Sequence, residues 1–130
     1  GGNFGDGVSR NIVTRSDKKF LSENTDANGI IIINADLANV HRLVLTGNIS
    51  NMSFVSNFSS VESKKYFELI IIIEQDNFGG HTINWPINVK WNNGSSPSLS
   101  STANDVNVVK FRTWNDGSTW VGNAEVIGAS

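Results

Sequence analysis

Two runs of four consecutive isoleucines, Ile30–Ile33 and Ile70–Ile73, constrain the fold of this chain more than any other feature. Isoleucine is β-branched and favours extended strands, in which successive side chains point to opposite faces of the sheet. Each run is therefore apolar on both faces, and a strand of that kind is covered on both sides. One face packs on the domain's own core. The second is covered either by a neighbouring subunit or by the ends and loops of the same domain.

Strand signals recur along the chain, whereas helix signals are almost missing. Runs of β-branched and aromatic residues are separated by Gly, Asn, Ser and Asp, which is typical of an all-β protein. The Asp116-Gly117 pair predicts a hairpin turn. Short strands at this spacing favour an antiparallel β-sandwich or jelly roll. The predicted strands are Asn11–Arg15, Gly29–Asn34, Arg42–Thr46, Met52–Val55, Tyr66–Glu74, Thr82–Trp85, Asn88–Trp91, Val106–Trp114 and Thr119–Ile127.

The domain organisation that the sequence predicts is simple. A length of 130 residues fits one domain. The glycine-rich start, residues 1–7, is expected to be a flexible leader or linker, and residues 8–130 a single β-sandwich domain. The chain has no cysteine, so durability outside a cell would have to come from packing or oligomerisation.

Charge and hydropathy argue against two classes of partner. The formal net charge is −2, and no Lys or Arg cluster is longer than two residues. A nucleic-acid-binding protein would show a basic patch. The longest apolar run, Leu69–Ile73, is too short to cross a bilayer. We therefore expect neither nucleic-acid binding nor membrane insertion.

No residue pattern in the sequence predicts a catalytic, cofactor or metal site. The acids Glu68, Glu74 and Asp76 flank a strand or lie in a turn, without the paired arrangement that a glycosidase needs. His41 and His81 have no His or Cys partner at metal-ligand spacing. The sequence therefore predicts no enzyme, no cofactor and no bound metal.

The four tryptophans all lie in the C-terminal half of the chain. Large aromatic side chains pack in cores and subunit interfaces, but exposed ones also stack on sugars, and both interpretations stay open here. Loops held by a rigid scaffold carry recognition, so receptor contacts are expected on the loops 92–101 and 115–118. The candidate receptor or glycan contacts are Trp91, Asn92, Asn93, Trp114, Asn115, Asp116 and Trp120.

Five short motifs follow one another in the C-terminal half. They are Trp85-Pro86, Val89-Lys90-Trp91, Gly94-x-x-Pro97, the strand Asn104–Phe111, and Asp116-Gly117-x-Thr119-Trp120. A Leu-x-Leu-Thr-Gly-Asn-Ile segment at Leu43–Ile49 precedes them. In these features the chain, from about Gly29 to Gly122, resembles the C-terminal β domain of bacteriophage tail fibre and virion structural proteins.

The resemblance implies a structural domain of the virion, an extracellular particle, with no catalytic activity. It implies self-association as a homotrimer and contact with other virion proteins. The function that follows is trimeric assembly and attachment to a glycan or protein receptor on the host cell surface. Two alternatives remain: a capsid decoration or head-fibre protein, and a monomeric carbohydrate-binding module, which predicts solvent-exposed tryptophans.

Overall fold

The computed structural model describes residues 20–56 and 66–130, so the predicted leader and the predicted strand Asn11–Arg15 lie outside the described residues. Within these ranges the named strands form one mixed sheet in the order β1-β2-β3-β5-β6-β4. The strands are β1 (Leu21–Asn34), β2 (Val40–Val55), β3 (Phe67–Gln75), β4 (Val89–Trp91), β5 (Val106–Thr113) and β6 (Trp120–Ala129). The all-β prediction is confirmed.

The sequence predicted an antiparallel sheet, but the sheet is mixed. β1 pairs with β2, β2 with β3, and β4 with β6 in parallel, whereas β3–β5 and β5–β6 are antiparallel. The antiparallel prediction is therefore wrong for three of the five strand pairs. The error has a physical reason. Side chains alternate between the two faces with a period of two in parallel and antiparallel sheets alike, so the apolar pattern cannot distinguish them.

The connection between β1 and β2 shows that these strands wind around the core. Leu21 pairs with Val40 and Asn34 with Val55, yet only residues 35–39 join the two strands. A straight strand of 14 residues would be about 46 Å long, and a five-residue connection reaches only about 20 Å. Each strand must therefore bend back within its own length. The register irregularities of β1 between Asn24 and Ile30 mark the bend.

The bends divide the structure into two layers. The first arms, residues 21–24 and 40–45, continue into β3, β5, β6 and β4, whereas the second arms, residues 30–34 and 49–55, form a layer with Ile83, which bridges Ile49. The Phe54 ring of the second layer lies 4.9 Å from Phe111 and 5.3 Å from Trp120 of the first. Buried between the layers are Ile31, Ile33, Leu43, Leu45, Ile49, Met52, Leu69, Ile71, Ile73, Val109, Phe111 and Trp120.

The two layers are thus arms of one continuous sheet, and a sandwich of separate sheets or a jelly roll is not confirmed. The predicted strands Arg42–Thr46 and Met52–Val55 are the two arms of β2. The predicted strand Thr82–Trp85 is reduced to the single bridge at Ile83. Asp116 and Gly117 have the positive φ angles of 59° and 83° that the hairpin required, although the loop between β5 and β6 spans residues 114–119.

His41 gives the fold a predicted sensitivity to mild acid. This side chain is buried on the core face of β2, and its Nε2 lies 2.8 Å from the Ala38 carbonyl oxygen. Burial lowers the pKa of His41 below its usual value near 6.5. Below about pH 6.5 the unfolded chain therefore binds a proton that the folded chain does not, and the free energy of unfolding falls as pH drops.

The measurement is urea unfolding at pH values between 7.5 and 5.0, with His41→Gln as the matched variant. We expect the variant to lose the decline that begins near pH 6.5. The lowered pKa values of Glu68 and Asp76 act in a separate window, below about pH 4.5. An unchanged decline in the His41→Gln variant would contradict the assignment.

Candidate assembly and attachment surfaces

The outer face of the first layer is charged, and its charges are paired. The inward residues Ile71 and Ile73 of the second isoleucine run are buried, and Ile70 and Ile72 lie half-buried on the outer face. Their register partners on the neighbouring strands include Arg42 and Lys110. The aliphatic stems of such side chains cover apolar surface while their charged ends stay in water. The outer face of this isoleucine run is therefore flanked by side chains of the same domain.

The charged ends form a network. Arg42 donates two hydrogen bonds to Glu74, one of them 3.0 Å long, and a third of 3.2 Å to Glu23. Lys110 Nζ lies 3.4 Å from Glu68 Oε1. The Tyr66 hydroxyl donates to Glu68 at 2.6 Å, which lowers the pKa of Glu68 and raises the pKa of Tyr66. Exposed pairs of this kind add little stability, but they leave this face with few unpaired charges.

Among the described residues, the outer face of the second layer carries exposed apolar side chains and no charged one. Ile30, Ile32 and Val55, which we call the β1 patch, are 72%, 63% and 43% exposed. The register places Asn51 and Ser53 of β2 beside the two isoleucines. β1 is also the terminal strand of the described sheet. An exposed apolar cluster on an edge strand is a site for association with another chain.

A surface groove lies at the other end of the sheet order, beside β4 and β6. Its volume is about 350 Å³, and we call it the Trp91 groove. Trp91, Asn92 and Asn93, three of the predicted contacts, line it together. The loop after β4 turns here because Asn93 and Gly94 adopt φ angles of 65° and 84°. This is the left-handed region, in which Asn and Gly are favoured.

The other predicted contacts do not line this groove. Trp114 is 53% exposed at the β5–β6 loop. Asn115 has a structural role in that loop, since its Oδ1 accepts hydrogen bonds of 3.0 Å from the Thr113 hydroxyl and the Thr119 amide. Trp120 is 1% exposed and belongs to the core. Its prediction as a contact residue is wrong, because the indole starts the core face of β6 and has no surface left for a ligand.

The groove also contains residues that sequence reasoning missed. Gly122, Asn123 and Ala124 of β6 line it opposite the loop that follows β4. They come close because Trp91 pairs with Gly122 in the parallel β4–β6 ladder. Nothing local in the sequence signals that pairing, since about thirty residues separate the two strands.

The part of the chain that the structure describes contains neither a membrane-spanning helix nor a cluster of metal ligands. No helix in residues 20–56 and 66–130 is long and apolar enough to cross a membrane. In the same residues, no group of three or more His, Cys, Asp or Glu side chains is arranged to hold a metal ion.

An all-β domain with an uncharged apolar edge and a polar groove is typical of assembly and binding modules. The family model described as "Putative phage tail fibre C-terminal domain" matches residues 31–120, well over half of the chain, and the chain belongs to this family. It is therefore a structural, virion-associated phage protein. No curated protein and no solved structure shows a significant match to it.

Proposed function

We propose that this domain assembles as a homotrimer on a phage tail fibre and attaches the virion to the host cell surface, without catalysing a reaction. The β1 patch is the observation that carries the assembly part. It combines an edge strand with exposed isoleucines on a face where the described residues place no charged side chain, and charged side chains are depleted at the centres of protein interfaces. The paired charges on the first layer favour solvent exposure of that face.

The attachment part is supported by a second surface, the Trp91 groove, which shares no residue with the β1 patch. In this proposal three copies associate through the β1 patch, and each copy keeps its own groove accessible. Three weak sites on one particle bind a surface more tightly than one site does, because the second and third contacts form at a high effective concentration.

Light scattering over a range of protein concentrations tests the assembly. We expect a mass about three times the 14.1 kDa of one chain, which persists on dilution. A single-chain mass at micromolar concentration would overturn trimeric assembly. Binding of the labelled domain to a panel of bacterial strains tests the attachment, and binding to none of the strains that the parent phage infects would overturn it.

A monomeric carbohydrate-binding module is the second candidate. The observation that favours it is the half-buried Trp91 in a groove with amide and hydroxyl groups. It shares the groove with the first proposal but predicts the mass of a single chain, so the same light-scattering experiment separates the two.

A further inference from the structure

The Trp91 indole is held rigidly by its neighbours. Its ring lies 5.3 Å from Trp85 and 5.6 Å from Phe111, with edge-to-face geometry at both contacts. Gly122 closes a third side, because a Cβ at this position would come within 2.8 Å of an indole carbon. The indole is only partly buried, and its remaining surface lines the groove. A fixed aromatic surface binds a ligand with little loss of side-chain entropy.

Five polar side chains around this indole form no hydrogen bond to the described residues. These side chains line the groove and are exposed to solvent: Asn92, Asn93, Ser95, Ser96 and Ser98. None of these five side chains hydrogen-bonds to another described residue. An amide offers both donors and an acceptor, and a hydroxyl does the same with one oxygen. The rim can therefore donate to and accept from a ligand that is rich in hydroxyl groups.

The two amides that line a second cavity are in a different situation. This cavity has a volume of about 240 Å³ and is lined in part by Gln75 and Asn107. Both amides are already bonded: Gln75 to the His81 backbone, and Asn107 to the backbone of Ser100 and Gly128. These amides hold loops in place, whereas the amides of Asn92 and Asn93 in the Trp91 groove do not.

The charge of the Trp91 groove selects among hydroxyl-rich ligands. No Lys, Arg, Asp or Glu side chain of the described residues lines it. Asn123 of the groove wall donates a hydrogen bond of 3.2 Å from Nδ2 to the Glu125 carboxylate and is the register partner of Lys110, so residues of both charges neighbour it. A sugar acid or phosphorylated sugar would find no charged partner in the lining itself, whereas an uncharged sugar needs none.

We infer that the Trp91 groove binds a neutral saccharide. The indole of Trp91 packs on the apolar face of one sugar ring, and the amides of Asn92 and Asn93 with the neighbouring serines hydrogen-bond its hydroxyl groups. This inference deepens the attachment part of the proposed function and rests on it, because it names the chemical class of the receptor.

The test is titration calorimetry of the full chain against a panel of neutral gluco-, galacto-, manno- and N-acetylglucosamine oligosaccharides, with uronic acid and phosphorylated sugars beside them. We expect saturable binding of at least one neutral sugar. The double variant Asn92→Ala/Asn93→Gly removes two amides, and glycine keeps the left-handed backbone at position 93. Loss of two hydrogen bonds predicts a decrease in affinity of about tenfold or more.

Two matched variants locate the site. Asn51→Ala removes an exposed amide outside the groove and should bind as the unchanged chain does. Trp114→Ala removes the exposed tryptophan of the β5–β6 loop and tests the rival contact site there. Unchanged melting temperatures would establish that every variant is folded. Preference for acidic sugars, full binding by the double variant, or loss of binding in Trp114→Ala would each overturn the inference.

The result is separable from the proposed function. A trimer that binds host cells but no neutral saccharide would overturn this inference alone. A single chain that binds a neutral sugar through the groove would support it and overturn only the trimeric assembly.

Discussion

Replacement of both Ile30 and Ile32 by glutamate is expected to convert the proposed homotrimer into single chains at micromolar concentration. Burial of one isoleucine contributes about 1.5–3 kcal/mol, so each subunit would lose several kcal/mol of association energy. Two unpaired carboxylates per chain would add a desolvation cost of several kcal/mol if the interface formed. Light scattering of the variant and the unchanged chain at equal concentrations measures the effect.

The matched control is Ile87→Glu. Ile87 is exposed like Ile30 and Ile32, but it lies in the loop before β4 and outside the β1 patch. This variant should keep the mass of the unchanged chain. Both positions 30 and 32 face solvent in the single chain, so the folded β structure should survive and be visible by circular dichroism. A double variant that remains trimeric would exclude the β1 patch as the interface.

Replacement of Phe111 by alanine is expected to lower the free energy of unfolding by about 3–5 kcal/mol. The side chain is fully buried, and its ring contacts Phe54 at 4.9 Å and Trp85 and Trp91 at 5.6 Å. Phe111 therefore connects Phe54 of the second layer with Trp85 and Trp91. Such a loss is a large share of the total stability of a typical domain, about 5–15 kcal/mol.

Urea unfolding at a fixed chain concentration measures this loss. Phe111→Leu, which keeps most of the volume, should cost less than about 1.5 kcal/mol if its neighbours repack. Trp114→Ala removes a larger but exposed ring and should change the free energy of unfolding by no more than about 0.5 kcal/mol. If Phe111→Ala cost less than about 1 kcal/mol, the two layers would not depend on this ring.

The isoleucine runs illustrate how far the sequence determines the structure. Their composition predicted strands that need cover on both faces, and both runs lie in strands. The composition did not determine which residues cover the outer face of each run. Ile70 and Ile72 are flanked by Arg42 and Lys110 of the same sheet, whereas Ile30 and Ile32 are exposed. That difference depends on which strands become neighbours, and the neighbours come from distant parts of the chain.

The tryptophans show the same limit at the candidate site. Trp91 and Trp120 have similar local surroundings in the sequence, since each is followed by turn or strand residues and preceded by a polar one. The two indoles lie on the same face of the sheet, and Trp91 stays partly open because β4 is the terminal strand, whereas Trp120 lies on β6 between β5 and β4. The motif around Asn92-Asn93-Gly94 was predictable because left-handed backbone has a strong residue preference.

The winding of β1 onto β2 also has a consequence for how such a domain can change in length. Leu21 of β1 pairs with Val40 of β2, so the chain returns to the same position in the neighbouring strand after about nineteen residues. We call this stretch one circuit. A tandem duplication of one circuit would add one more layer of backbone pairing, about 4.8 Å in height, without disturbing the hairpin of β5 and β6. Insertions of one or two residues are already accommodated in this ladder, because the offset between paired residues grows from 19 at Leu21 and Val40 to 21 at Asn34 and Val55. Relatives of this chain are therefore expected to gain length either as small bulges or as a whole circuit.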